Sequence, residues 1–118
     1  MTTVSEDFFN AYVQTALWSS TDNSGEPLDA RFDVHDIDDE TLDGMLADCT
    51  AFYAANETDL EIGEDIRAGH DFWLTRCGHG AGFWDGDWPE PRATRLTNAA
   101  NAFGNIDLYI GDDGKIHA

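Results

Sequence analysis

Four residues in the second half of the chain have side chains that bind metals or support hydrolysis: His70, Cys77, His79 and Asp85. Together they could hold a divalent ion, or Cys77 could act as a nucleophile with His79 as its base. Zinc sites usually present paired ligands such as CxxC or HxxxH, and these residues do not have that spacing. We therefore predict no catalytic residue, no metal and no cofactor. A small hydrolase or metal-dependent enzyme built on these four residues is the alternative.

The dominant feature of the sequence is its acidity. Its 118 residues include 24 Asp and Glu but six Lys and Arg, which gives a formal net charge of −18. Fourteen of the acids lie between residues 26 and 65, where Arg31 is the only Lys or Arg. A field of this sign repels nucleic acid and anionic membranes and attracts a basic surface. Four Trp and seven Phe are more aromatic residues than a disordered acidic segment carries, so we predict a folded domain.

Three interpretations of this acidity remain open: a solvated surface that only keeps the protein soluble, adaptation to high salt, and mimicry of a nucleic acid. Adaptation to salt should spread the acids evenly, whereas residues 1–66 carry a net charge of −16 and residues 67–118 a net charge of −2. Mimicry explains such a concentration, because acids one helical turn apart stand about 6 Å from each other, a spacing similar to that of DNA phosphates. We favour mimicry.

The first half of the chain predicts two helices. Ser5 is a suitable N-cap for a first helix over residues 6–18, and Asp38 caps a second helix that could continue to about Gly63. Residues 28–37 between them are predicted to be extended or irregular and to contact the core. One edge of the apolar face of the second helix is predicted to carry four acids: Asp39, Asp43, Glu57 and Glu61.

The second half predicts strands. Residues 70–76 are rich in aromatic and β-forming types, and the glycines of residues 77–82 suit a hairpin turn before a partner strand that begins at Phe83. A short helix and two more strands are predicted to follow: residues 93–103, 106–110 and 115–117. The predicted fold is a single α+β domain over residues 1–118. It has two N-terminal helices packed on a small three- to four-stranded antiparallel sheet, with one inserted short helix.

Cysteine content and hydropathy predict a location. The chain has two cysteines, Cys49 and Cys77, a number that suits a reducing compartment. Its first residues, MTTVSEDFF, contain no basic segment followed by a long apolar run, so they do not predict a signal peptide. No apolar stretch approaches the length that crosses a membrane. We predict a cytoplasmic protein.

Three stretches of the chain resemble a family of small proteins encoded by bacteriophages and prophages. They are LWSSTDNSGEPLD (17–29), AGHDFWLTRCGHGAGFWD (68–85) and LTNAANAFGNIDLYIGDDGKI (96–116). Asparagine is usual in that family where this chain has Cys77, a departure that weakens any role for the cysteine. Some small acidic phage proteins inhibit CRISPR systems, so the resemblance implies an anti-defence role.

From the acidity and this resemblance we predict an anti-CRISPR inhibitor. It would present a DNA-mimicking acidic surface to the DNA- or PAM-contacting site of a CRISPR effector complex, on the large or backbone subunit of a type I effector, and block target DNA binding. Direct binding to nucleic acid or to a membrane is not expected. An acidic phage accessory protein without mimicry is a further alternative. The predicted partner-binding residues are Asp33, Asp36, Asp38, Asp39, Glu40, Asp43, Asp48, Glu57, Asp59, Glu61, Glu64 and Asp65.

Overall fold

The structure is a computed structural model that describes residues 4–60, 63–78, 81–85 and 88–118. Within these residues the chain forms four α-helices, named α1 to α4 in chain order: Glu6–Ser19, Asp39–Ala55, Asp65–Cys77 and Arg92–Asn101. A two-stranded antiparallel sheet, β1 and β2, follows them: Tyr109–Ile110 and Ile116–His117. Three 3-10 turns lie between the first three helices: Leu28–Ala30, Val34–Asp36 and Glu57–Asp59. No helix among the described residues is long and apolar enough to cross a lipid bilayer.

Helix α1 begins and ends close to the residues predicted from the sequence. The Ser5 hydroxyl accepts a hydrogen bond from the backbone N–H of Phe8 at 3.1 Å, which caps the first turn. One face of the helix, which includes Phe8, Tyr12 and Leu17, is fully buried. Helix α1 packs most extensively on α3. The two backbones approach closely at Gly69, which has no side chain to separate them.

The predicted strand at residues 70–76, and with it the hairpin to Phe83, is wrong. These residues lie in α3, and Gly78 ends the helix in the left-handed conformation at φ 69°. Every residue from Ala68 to Arg76 is buried except half-buried His70. A helix buried on nearly all sides shows no alternation of apolar and polar faces, so its sequence lacks helical periodicity and its Phe, Trp and Thr residues suggest a strand.

The aromatic rings of α3 occupy the centre of the core. Phe72 stacks on Phe52 of α2 with the ring centroids 4.1 Å apart, and it also contacts Phe8 and Tyr12 of α1. The indole N–H of Trp73 donates a hydrogen bond to the Ser19 hydroxyl at 2.9 Å, so this buried donor is satisfied. Helix α3 is therefore the element on which α1 packs, and its Phe72 also contacts α2 through Phe52.

Helix α2 ends sooner than predicted, at Ala55 rather than near Gly63. Asn56 terminates it, because its side-chain amide and its backbone N–H both donate to the carbonyl of Phe52. The amide nitrogen lies 2.8 Å from that oxygen. The 3-10 turn Glu57–Asp59 follows directly, so the acids beyond Ala55 do not lie on the helix.

The sheet is also smaller than predicted. In the described residues it has two strands instead of three or four, with Tyr109 opposite His117 and Ile110 opposite Ile116. The fold is mostly helical with this small sheet, so it is α+β in a coarse sense. The predicted packing of the N-terminal helices on a sheet is wrong, because α1 packs on α3.

Candidate functional site

Three arginines from the second half of the chain neutralise acids from the first half. In each pair a guanidinium nitrogen lies 2.9 Å or less from a carboxylate oxygen. The pairs are Arg76 with Asp48, Arg92 with Glu64, and Arg95 with Asp59. The sequence predicts these three acids as partner contacts, but in the structure they join distant segments of the fold. The acidic surface that a partner could contact is therefore smaller than the acidic stretch 26–65 suggests.

Asp59 is the most buried of these acids, with 8% of its surface exposed. Both of its carboxylate oxygens accept hydrogen bonds from the Arg95 guanidinium, and this pairing holds its pKa below the usual value. The Arg92 guanidinium also donates to the backbone carbonyl of Asp59 at 2.8 Å. Two arginines of α4 therefore anchor the turn that follows α2.

The other acids that follow α2 are dispersed. Asp65, at the start of α3, accepts a hydrogen bond from the Tyr53 hydroxyl at 3.2 Å. Glu57 is exposed in its 3-10 turn. Glu61 lies outside the described residues. The predicted acidic edge that continues along α2 from residue 39 to residue 61 is therefore wrong, since the helix ends at Ala55.

Six carboxylates remain at the beginning of α2, and we call them the acidic surface: Asp33, Asp36, Asp38, Asp39, Glu40 and Asp43. All six are exposed or half-buried, and none pairs with a Lys or Arg in the described part of the chain. Local hydrogen bonds fix the first three. Asp33 and Asp36 form a capping box around the turn Val34–Asp36. The carboxylate of Asp38 caps α2 by accepting from the Thr41 N–H at 3.4 Å.

The helix itself fixes the other three. Asp39 and Glu40 lie in the first turn of α2, where the positive end of the helix dipole stabilises carboxylates. Asp43 lies one turn after Asp39, and this i,i+4 pair of like charges opposes helix formation by about 0.2–0.5 kcal/mol. No basic side chain among the described residues forms an ion pair with either. The net charge of −18 as a whole exceeds what solubility requires of a small domain.

The C-terminal hairpin holds this end of α2 in place. The backbone N–H of Asp38 donates to the carbonyl of Ile116 at 2.8 Å. The His117 ring lies beside this bond, with Nδ1 3.8 Å from the Asp38 carboxylate and Nε2 3.0 Å from the Asp113 carboxylate. Hydrogen bonds from the Lys115 backbone and from His117 hold the pKa of Asp113 below its usual value. The hairpin thus adds a carboxylate and an imidazole to the edge of the acidic surface.

The four residues considered for metal binding or hydrolysis are not gathered at one place among the described residues. His70 and Cys77 lie about two turns apart on α3, about 10 Å along its axis, which is too far for two ligands of one ion. His70 stacks instead on exposed Trp18, with the ring centroids 5.7 Å apart. The Asp85 carboxylate accepts a hydrogen bond from the backbone of its own loop. His79 lies outside the described residues.

Cys77 is not arranged as a nucleophile. Its thiol donates to the carbonyl oxygen of Ile106, with the sulfur 3.2 Å from that oxygen. Burial raises the pKa of Cys77 to about 12, and the nearby charge of Asp107 adds to this effect. At neutral pH the thiol is therefore protonated, whereas nucleophilic attack requires the thiolate.

This pKa gives a testable rate. At pH 8, native Cys77 should react with iodoacetamide on the order of a thousandfold more slowly than a free cysteine, whose pKa is about 8.5. The rate can be followed by mass spectrometry of the peptide that contains Cys77, in native buffer and in denaturant. Denaturant should restore the rate of a free thiol. Equal rates in the two solutions would contradict the protected thiol.

Sequence reasoning missed the partners of the acids and the environment of His117. The arginines of α4 and the C-terminal histidine contribute through contacts with residues far away in the chain, and such contacts have no local signal. The alternation of residues 106–110 and the glycine turn that follows do predict a hairpin. They do not predict that its second strand meets the start of α2.

The chain matches no protein-family model, and no curated protein or solved structure is significantly similar to it. The resemblance to phage proteins therefore stays a prediction that rests on the three stretches quoted above.

Proposed function

We propose that the chain is a phage anti-defence protein that docks its acidic surface on the basic DNA-binding surface of a CRISPR effector complex and blocks target DNA. The observation that supports this proposal is the concentration of six carboxylates at residues 33–43 with no Lys or Arg partner in the described part of the chain. Asp48, Asp59 and Glu64 are instead neutralised by arginines of the same chain, so they do not contribute to this surface. The proposed partner is the large or backbone subunit of a type I effector.

Charge spacing favours a partner that normally holds a polyanion. Asp39 and Asp43 lie on one side of α2 a turn apart, about 6 Å between side chains, and Asp36 and Asp38 come just before the helix in the chain. Duplex DNA carries about one charge per 1.7 Å of axis. A site rich in Lys and Arg that reads the backbone of DNA can accept carboxylates at such intervals, because both ligands offer anionic oxygens.

The acidic surface is also ordered before it binds. Asp33, Asp36 and Asp38 are held by hydrogen bonds from backbone N–H groups. A carboxylate has about four acceptor positions, so each of these residues keeps capacity for Lys or Arg of a partner. Because these three side chains and the backbone of α2 are already ordered, docking loses less conformational entropy than it would with a flexible acidic tail.

The test is a competition assay in which the protein displaces target DNA from a purified type I effector. The variant Asp39→Asn, Glu40→Gln, Asp43→Asn should inhibit about tenfold to a hundredfold less well at low salt. Each exposed charge pair contributes up to about 1 kcal/mol, and about 1.4 kcal/mol is tenfold in Kd. Inhibition by the unaltered chain should weaken as salt is raised.

A matched control is provided by the first helix. The variant Glu6→Gln, Asp7→Asn, Asp29→Asn changes the net charge equally, and Glu6 and Asp7 occupy the first turn of α1 as Asp39 and Glu40 do in α2. It should inhibit as well as the unaltered chain. An equal loss in both variants would mean that binding responds to net charge alone, and no loss in either would exclude the acidic surface as the contact.

A further inference from the structure

The geometry points to a binding site for a divalent transition-metal ion, such as Zn²⁺, formed by Asp38, Asp113 and His117. One ligand atom from each of these residues lies within 4.8 Å of the other two. None of the three belongs to the set of His70, Cys77, His79 and Asp85 considered from the sequence. This inference does not depend on the proposed function, since it concerns a small ion and no partner protein.

The three side chains are brought together by the backbone. Asp38 precedes α2, whereas Asp113 and His117 belong to the C-terminal hairpin. The Asp38 N–H bonds the Ile116 carbonyl at 2.8 Å, and Ile37 pairs with Ile116 in a parallel bridge. These contacts hold two carboxylates of like charge close together, where their repulsion favours a cation between them.

Each nitrogen of the His117 ring faces a different carboxylate. Nε2 lies 3.0 Å and 3.1 Å from the two carboxylate oxygens of Asp113, and Nδ1 lies 3.8 Å from Asp38. An imidazole binds one ion through one nitrogen, and two donors that each stand about 2.1 Å from that ion are roughly 3.0–3.4 Å apart. An ion bound at Nε2 therefore requires Asp38 to turn from Nδ1, a short movement because one ligand atom of each residue lies within 4.8 Å of the others.

The kind of ligand selects the kind of ion. An imidazole with two carboxylates suits Zn²⁺ and its first-row neighbours, whereas Mg²⁺ and Ca²⁺ prefer oxygen ligands alone. A cavity of about 450 Å³ adjoins the site, and its lining includes Asp38, His117, Glu40 and Asp48. Water can therefore complete the coordination of an ion held by three protein ligands.

Calorimetric titration of ZnCl₂ into the untagged full chain tests this site. We expect one saturable Zn²⁺ ion per chain, with Ca²⁺ binding much more weakly. Asp113→Asn and His117→Gln should each weaken Zn²⁺ binding about tenfold or more, at least the effect of losing a group that supports a metal ligand. Both positions are at the surface, and circular dichroism checks that each variant retains its helices.

Two control variants separate a defined site from diffuse attraction to the acids. Asp112→Asn removes a neighbouring exposed carboxylate, and His35→Gln removes an exposed imidazole, but neither residue belongs to the set. Both should bind Zn²⁺ as the unaltered chain does, and the ring signals of His117 should shift on titration in NMR spectra. The site is overturned by the absence of saturable binding, by equal weakening in control and site variants, or by undiminished binding in the site variants.

Discussion

Replacing Arg76 with Met is expected to lower the free energy of unfolding by about 3 kcal/mol or more, because each buried acceptor left without a donor costs about 1–3 kcal/mol. The Arg76 side chain is 5% exposed. Its Nη1 donates to the Asp48 carboxylate at 2.8 Å and to the Tyr12 hydroxyl at 2.9 Å. Its remaining nitrogens donate to the carbonyls of Gly104 and Phe103. Methionine fills the space but leaves these acceptors without a donor.

Arg76 contacts the buried Tyr12 hydroxyl, which stays neutral because burial raises the pKa of Tyr12. Arg76 also lies over the rings of Phe72 and Phe103, so its hydrophobic stem and charged head both contact the core. The arginine therefore connects α1, α2, α3 and the segment after α4 at one point.

Urea unfolding followed by circular dichroism measures the Arg76 effect. Arg67→Met is the matched control, because Arg67 is exposed and lies over Trp88 at 5.8 Å from the ring centroid. It should cost no more than about 1 kcal/mol, the upper value for an exposed cation–π contact. If Arg76→Met unfolds at the same urea concentration as the control, the buried network does not stabilise the fold.

Replacing Gly69 with Ala is expected to destabilise the protein by about 1–3 kcal/mol, as overpacking of a core does. A Cβ on Gly69 would overlap the carbonyl oxygen of Phe8 and lie 3.1 Å from the Cβ of Ala11. The obstacle is backbone, which cannot move aside without separating α1 from α3. At an exposed position within a helix, replacing Gly with Ala raises the free energy of unfolding by up to about 1 kcal/mol. A loss of stability at Gly69 would therefore indicate the close approach of α1 and α3.

Gly44 is an exposed helical position of this kind in the same chain. It lies in α2 and is exposed, and a Cβ added there would meet no other described part of the chain within 4 Å. Gly44→Ala is therefore expected to stabilise the protein by about 0.5–1 kcal/mol in the same urea experiment. Stabilisation by Gly69→Ala of similar size would show that α1 and α3 are farther apart than the structure has them.

The sequence predicts elements whose signals are local. Ser5 and Asp38 are capping residues beside the turns they cap, so the starts of α1 and α2 are confirmed. The glycine turn before β2 is also a signal from neighbouring residues, and the predicted hairpin is confirmed, with strands shorter than predicted. Helix α3 is not predictable from periodicity, because burial on nearly all sides removes the pattern that identifies a helix. Gly78 and Arg76 at its end were the available helix signals.

The candidate site is predictable in part. The predicted cap at Asp38 places Asp39 and Glu40 in the first turn of α2, and both are exposed. The pairing of Asp59 with Arg95 could not be predicted, because it depends on α4 lying against the turn after α2. Net charge counts every acid equally, whereas contacts between distant residues decide which acids a partner can reach.

The bond between the Asp38 N–H and the Ile116 carbonyl joins parts of the chain that a ribosome delivers at different times. At ~5–20 residues per second, α2 is synthesised several seconds before β2. During that interval the start of α2 lacks its contact with the hairpin. The Asp38 N–H can therefore meet the Ile116 carbonyl only once translation has passed residue 116, whereas the local caps at the start of α2 can form earlier.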